Sequence, residues 1–210
     1  MPKSFNIRDF TSKASTRGIL SPSKFNVTIT TPQALSELDP TFAGNLSNEL
    51  SFWCTSSSIP GISVDVTEVR RYGGVGISQK KPYSVSFAPI KMSVVASADS
   101  ATWMFFKWWF QTIFNFDMSN KTTLNYGNGN QDVYENSYTN DYAVEMAIRN
   151  YDNVGNSSTI VKLRQAFPIG MSNLEFDWST NGLVSFNVVV TYTDFKVEQS
   201  DVSGLITTLT

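Results

Sequence analysis

Few residues in this chain could carry covalent chemistry. There is no histidine, which removes the commonest general base, the usual Ser-His-Asp/Glu and Cys-His nucleophile systems, and histidine-containing metal sites. The one cysteine, Cys54, lies in the apolar run Leu50-Ser51-Phe52-Trp53-Cys54 and reads as a small buried hydrophobe. A single cysteine allows no internal disulfide and no cysteine zinc cluster. The 18 acidic residues make some carboxylate pair inevitable in space, but no spacing singles out a glycosidase-like pair. The glycines of Arg70-Arg71-Tyr72-Gly73-Gly74-Val75-Gly76 invite a phosphate-cradle reading. That reading needs a helix opening directly after them, and Ile77-Ser78-Gln79-Lys80-Lys81-Pro82 is no helix start. A hairpin tip is expected instead. No catalytic residue, cofactor or metal is assigned, and the chain is not read as an enzyme.

With catalysis set aside, binding and assembly remain, and the segment Ser97 to Phe116 is the strongest feature for either. Ser97 and Asp99 are helix N-cap types, able to satisfy the free amides of a first turn. The residues that follow are mostly apolar, and most of those are aromatic. Trp103, Phe106, Phe110, Ile113 and Phe114 fall at helical spacing and make one stripe. Phe105, Trp108, Trp109 and Phe116 lie off it. A helix apolar on nearly every side must be covered on nearly every side. It is too short for a bilayer, which needs about 20 apolar residues, and Lys107 and Gln111 interrupt it. Two readings stay open: a core helix in one globular domain, or a helix whose outer face packs on another subunit. Trp, Phe and Met are enriched at the centres of such interfaces.

The 210 residues suffice for one large domain or two small ones, and the absence of a clear internal linker favours one. The chain is 41% hydrophobic but only 16% charged, against a usual charged share of about 25%. Self-association is the simple way to cover the patches this composition would expose. A net charge of −2 and a pI near 5.1 give no basic footprint for gripping nucleic acid. The first ten residues lack the continuous apolar core of a secretory signal, and no transmembrane segment is found. A soluble protein kept in a reducing cytosol is expected.

Residues 1–23 read as an arm, either docked on a neighbour or simply floppy. Phe25 to Thr31 alternates as a strand, ended by Pro32. Pro32 to Asn48 is expected to be a loop with one helical turn at Gln33 to Leu38. Leu50 to Thr55 is a second strand leading to the Pro60-Gly61 turn. Ile62, Val64, Val66 and Val69 give a third strand one apolar face, with Asp65 and Glu68 on or near the other. Arg70, Arg71, Lys80 and Lys81 make the following loop the most basic local patch. Tyr83 to Val95 is a long strand broken at Pro89. Residues 117–140 are a long Asn/Gly/Ser/Thr-rich loop, functional or ordered by a partner. Tyr142 to Tyr151 alternates as a strand, and the Asp152 to Asn156 turn leads to a partner beginning at Thr159. Phe167 to Gly170 is expected to turn. Met171 to Trp178 and Leu183 to Phe195 are expected to be strands joined by the tight turn Ser179 to Gly182. Residues 196–210 read as a second arm. About eight strands and one main helix imply a mainly β fold, an antiparallel sandwich or small barrel with the helix over one edge or end.

Taken in order, several landmarks resemble the tail tube proteins of long contractile-tailed bacteriophages, and more distantly the inner tubes of related injection machines. KFNVTIT (24–30) precedes the cysteine-bearing SFWCTSSSIPG (51–61). A glycine-bearing loop, a long strand and the aromatic helix with Phe105-Phe106-Lys107-Trp108-Trp109 follow. AFPIGMSNLEFDWSTNGLVSFNVVVTYTDF (166–195) looks like the family's closing stretch. The resemblance covers residues 24–195 and departs at the arms and at 117–140. It implies a β-sandwich or half-barrel subunit, hexameric rings with a continuous inner β-barrel, and stacking into a tube through which DNA passes into the host. The partners it implies are further copies of the chain, the tail sheath, the baseplate or tube initiator, and the tape measure protein. It implies a place in the virion tail after synthesis in the host cytoplasm. The interface residues expected on this reading are Phe105, Trp108, Trp109, Arg70, Arg71, Lys80 and Lys81. The lumen candidates are Asp65, Glu68, Glu145, Glu175 and Asp177, since an acidic lining repels the DNA backbone. A tube initiator or baseplate ring of the same fold stays open. So does a glycan-binding sandwich that uses its exposed aromatics.

Overall fold

Period-two alternation builds most of this chain. In the strand Val144–Tyr151, Val144, Met146 and Ile148 are buried, while Glu145 between them faces solvent. The computed structural model describes residues 7–8, 11–12, 20–38, 40–70, 77–114, 116, 136–152, 155–179 and 182–199. The order is β1 (Phe25–Ile29), α1 (Gln33–Leu38), α2 (Pro40–Trp53), β2 (Cys54–Ser57), β3 (Ile62–Val69), β4 (Gln79–Phe87), β5 (Ile90–Val95), α3 (Ala101–Ile113), α4 (Thr139–Tyr142), β6 (Val144–Tyr151), β7 (Ser157–Met171), β8 (Ser185–Thr191) and β9 (Asp194–Gln199). Among the described residues no helix is long and apolar enough to cross a membrane.

Seven strands form one antiparallel sheet that changes partners along β7. The first part of β7 pairs with β6 on one side and β9 on the other, and its last part pairs with β8. The switch falls at Gln165, which holds a left-handed φ of 51°, beside a register shift against β6. A bulge of this kind bends a strand and re-aims it. The opposing chain bends at the same place. Between β8 and β9, the Thr193 amide donates to the Arg164 carbonyl at 3.1 Å, and Thr193 Oγ1 donates to Gln165 Oε1 at 2.8 Å. One wing is therefore β1-β6-β7-β9 and the other β7-β8-β5-β2. This is the expected mainly β, antiparallel fold. Val27, Met146, Leu163, Val188, Met92 and their neighbours on both wings bury their side chains in one cluster with Phe105, Phe106 and Trp109 of α3. Each large side chain so buried contributes about 1.5–3 kcal/mol.

Four expectations are corrected here. Residues expected to form a loop and then a strand from Leu50 make the helix α2 as far as Trp53, and the strand begins only at Cys54. Ser47 and Leu50, three apart on one face, are both buried, and the Ser47 hydroxyl donates to the Ile29 carbonyl of β1. Packing on β1 overrides the weak propensity of a Gly- and Asn-bearing segment. Phe167 to Gly170 does not turn: β7 runs through it, with a register shift between Pro168 and Gly170 that accommodates the proline. Residues 172–177, expected as a strand, have no regular structure. The expected strand from Leu183 is split at Tyr192-Thr193, and β9 continues to Gln199, past the expected boundary at 195. Most of the arm at 1–23, residues 117–135 of the long loop, positions 180–181 of the expected turn and the tail from 200 lie outside the described residues.

Candidate functional site

The aromatic helix α3 is anchored by the two residues whose types suggested a cap. Asp99 Oδ1 accepts from the Ala101 amide at 3.1 Å and from the Ser97 hydroxyl at 2.5 Å. These bonds hold the Asp99 carboxyl below the usual carboxylate range. Ser97 Oγ also accepts from the Thr102 amide at 3.3 Å. Thr102 Oγ1 accepts from the Ser97 amide and donates to the Val95 carbonyl at 3.2 Å. The buried residues of the helix are Thr102, Phe105, Phe106, Trp109, Gln111, Thr112 and Ile113. Phe105 lies edge-on to Phe106 at 5.4 Å and to Trp109 at 5.9 Å, and Trp109 Nε1 donates to the Tyr142 carbonyl at 2.8 Å.

That geometry overturns two interface candidates. Phe105 and Trp109 are 0% exposed in a single copy of the chain, so neither can touch a neighbour. The inward stripe is rotated from the expected one, and Trp103 and Phe110 are only half-buried. The helix is apolar all round, so apolar spacing fits more than one face. Thr102 and Thr112 break the tie by facing inward, where each hydroxyl bonds a backbone carbonyl. Of the three helix candidates, only Trp108 keeps accessible surface.

Exposed apolar side chains among the described residues include Phe52 of α2 and Phe114, Phe116 and Tyr138 beyond α3, and two further places concentrate them. The first is the hairpin β3–β4, which forms a two-stranded sheet of its own. Ile62, Val64, Val66, Tyr83 and Val85 are all half or more exposed. Phe87 ties its base to the body, 5.4 Å from the Phe195 ring and 6.2 Å from the Tyr192 ring. The Tyr192 hydroxyl, its pKa raised by burial, donates to the Ala88 carbonyl at 2.9 Å. Arg70, Lys80 and Lys81 are exposed, with Lys80 opposite Glu68 and Lys81 opposite Thr67. Arg71 lies outside the described residues. A lone two-stranded hairpin is marginal in water.

The second place is the irregular segment after β7. Leu174 packs against the core, but Phe176 is 80% and Trp178 107% exposed, and Leu183 stands out beside them. Glu175 and Asp177 alternate with these aromatics and are exposed. Asp177 accepts from the Ser179 amide and hydroxyl at 2.9 and 2.7 Å, which turns the chain. Sequence reasoning missed Phe176, Trp178 and Leu183 as surface groups. Their signal was acid–aromatic alternation with no apolar partner strand.

The five lumen candidates do not come together. Asp65 and Glu68 lie on β3, Glu175 and Asp177 on the irregular segment, and Glu145 on the outward face of β6. The outer face of that wing is charge-paired: Lys162 meets Glu198 at 2.9 Å, Lys196 meets Glu198 at 3.6 Å, and Arg164 pairs with Asp194 through both carboxylate oxygens. These partners hold Glu198 and Asp194 below the usual carboxylate range. Among the described residues no three acidic, histidine or cysteine side chains gather as metal ligands. Burial pushes the Cys54 thiol up to about 11, away from reactivity.

A family model for the phage tail tube protein matches residues 20–198. Comparison with curated protein sequences finds no match. Three cryo-EM structures share the fold. A chain of the anti-feeding prophage baseplate, 6-fold symmetrised, superposes with a TM-score of 0.56 at 10% identity, covering 85% of this chain and 95% of that one. A chain of the sheath–tube complex of an extracellular contractile injection system gives 0.53 at 16% identity, covering 90% and 98%. A chain of the anti-feeding prophage tube-terminating cap gives 0.53 at 16% identity, covering 88% and 93%.

Proposed function

This chain belongs to the phage tail tube protein family, and from that premise we propose that its copies close hexameric rings that stack into an inner tail tube through which DNA passes during ejection into the host. It acts as a structural component, not an enzyme. The observation that carries the assembly reading is the β3–β4 hairpin, an apolar sheet face that stays exposed among the described residues. Among the described residues, β1, β2 and β9 each pair on one side only. Closing a ring removes such edges, and a head-to-tail contact closes into a ring when its rotation allows. Trp108 and the basic loop with Arg70, Arg71, Lys80 and Lys81 supply the contacts to neighbouring copies. Glu145 is the lumen candidate that sits on a broad sheet face, where an acid repels phosphates and releases no counterions. Sheath, baseplate or tube initiator, and tape measure protein are the partners of such a tube, and the virion tail is its location.

Negative-stain electron microscopy of the purified chain across a concentration series tests this. Tubes, or stackable rings with a central hole, are expected. Rings that never extend would move the chain to a tube initiator or baseplate ring. Monomers at every concentration, combined with binding in a glycan screen, would overturn the tube reading in favour of a carbohydrate-binding sandwich.

A further inference from the structure

The two uncovered surfaces have opposite charge and sit at opposite ends of one sheet. From Ile62 to Phe87 the sequence carries Arg70, Arg71, Lys80 and Lys81 against Asp65 and Glu68, four cations less two acids, net +2. Residues 172–184 carry Glu175 and Asp177 and no cation, net −2. Both surfaces are apolar at their centres: Val64, Val66 and Val85 on the hairpin, Phe176, Trp178 and Leu183 on the loop. The loop also frames an open groove lined by Glu175, Phe176, Asp177 and Leu183, with Ser185 and Asn187 of β8 beside them.

Register fixes where each surface lies. In the β5–β8 pair, Ile90 stands opposite Val190 and Val95 opposite Ser185. The hairpin enters β5 through Phe87 and Ala88, held to Tyr192 just past the end of β8. The loop enters β8 at Ser185, the other end. The length of β5, roughly 17 Å at about 3.3 Å per residue, separates them. Within one copy the two surfaces do not cover each other: Val64, Val66 and Val85 on the hairpin and Phe176, Trp178 and Leu183 on the loop all stay exposed. Both surfaces would be covered at once if each copy offered its hairpin to the loop of the next.

We propose that the groove formed by residues 172–177 with 182–184 of one copy receives the β3–β4 hairpin of the next, a head-to-tail contact between copies of this chain in which Glu175 and Asp177 meet the Lys80 and Lys81 end of the hairpin and the exposed aromatics cover its valine face. This rests on the self-assembly reading and names the surface that accepts the hairpin. The interface is heterologous, so it propagates rather than closing as a dimer. Opposite charge sets its register and excludes the inverted pairing of hairpin with hairpin.

Charge reversal tests it. Glu175→Lys with Asp177→Lys makes the loop +2, and Lys80→Glu with Lys81→Glu makes the hairpin −2, by the counts above. Each variant then presents like charges to its own kind. Alone, each should need at least about tenfold more protein than the parent chain to assemble at low salt, by sedimentation velocity and electron microscopy. An equimolar mixture of the two should co-assemble, because each hairpin then finds an opposite loop. Unchanged assembly of either variant alone overturns the proposal while leaving the tube reading intact, as does failure of two folded variants to co-assemble. A parent chain that never assembles overturns both. If a variant melts too low to use, carbodiimide coupling of mixed light- and heavy-nitrogen parent chains decides. Coupling of Glu175 or Asp177 to Lys80 or Lys81 between copies supports the contact, and its absence from assembled material refutes it.

Discussion

Replacing Trp109 with alanine should strongly destabilise the subunit, whereas replacing Trp108 should not. The two residues are adjacent in sequence and identical in type, and only the rotation of α3 separates them. Trp109 is fully buried against Phe105 and Phe106, and its indole N–H holds the Tyr142 carbonyl at 2.8 Å. Removing a buried Trp side chain costs about 3–5 kcal/mol. Leaving the Tyr142 carbonyl without its donor adds about 1–3 kcal/mol. The loss of about 4–8 kcal/mol compares with a total stability of about 5–15 kcal/mol for a domain. Trp108 is half-buried at the edge of the same cluster, and its truncation should cost about 1–2 kcal/mol. Urea unfolding of dilute, unassembled protein followed by far-ultraviolet circular dichroism gives both values. With a slope near 2 kcal/mol per molar, Trp109→Ala should lower the midpoint by about 2 M or more and Trp108→Ala by less than about 1 M. Trp109→Phe keeps a ring and loses the donor, and should fall between. Equal midpoints for the two alanine variants would refute the assigned face of the helix.

Two further outcomes follow from local geometry. Ser100 holds a φ of 59° at the start of α3 and makes no capping bond with its side chain, so Ser100→Gly should stabilise the chain by about 0.5–1 kcal/mol in the same urea experiment; a loss would mean that the left-handed turn is not strained. The Cys54 thiol, pushed up from its ordinary 9.0 to about 11 by burial, gives two readouts. It should react with a disulfide reagent at pH 8 on the order of a hundredfold more slowly than a free thiol, and it should make stability fall as pH rises. A raised folded-state pKa leaves the native state fully favoured below the ordinary value, and the advantage is lost between about pH 9 and 11. Cys54→Ala should flatten that alkaline limb, and an unchanged limb would assign it to other groups such as Tyr192.

The fold was legible wherever one face of a strand is buried. Val144, Met146 and Ile148 of β6, and Phe186, Val188 and Val190 of β8, alternate with less buried residues, most of them polar or small, because only one side meets the core. Legibility failed where tertiary contact decides. Helix α2 exists because Ser47 and Leu50 find β1, and β1 lies far from them in sequence. The passage of β7 through Pro168 depends on a register shift against β8, and a proline followed by a glycine gives a turn signal in either case. The bend at Gln165 has no sequence mark at all. Glutamine is not a left-handed residue type, and the position is fixed by Thr193 across the hairpin.

The assembly surfaces were half legible for a related reason. Composition announced that apolar surface would be left over, and the basic loop between β3 and β4 was visible as charge. Which aromatics remain outside could not be read, because exposure is a property of the folded copy. Of the two readings the sequence left open for α3, the richest aromatic segment, one put the sticky surface there, yet that helix turns Phe105, Phe106 and Trp109 inward and fills the core between the two wings. The chain instead exposes Phe176 and Trp178 on a segment too irregular to pair and a valine face on a hairpin too thin to bury its own side chains. Both are weak elements in isolation, and each gains most by meeting a rigid body. On the proposed contact, a subunit built this way would keep its core apart from the hairpin and loop that meet the next copy, so that assembly could start and stop without unfolding it. The same logic separates the two tests: perturbing Trp109 strikes the core, and reversing charge at Glu175 and Asp177 strikes only the ends.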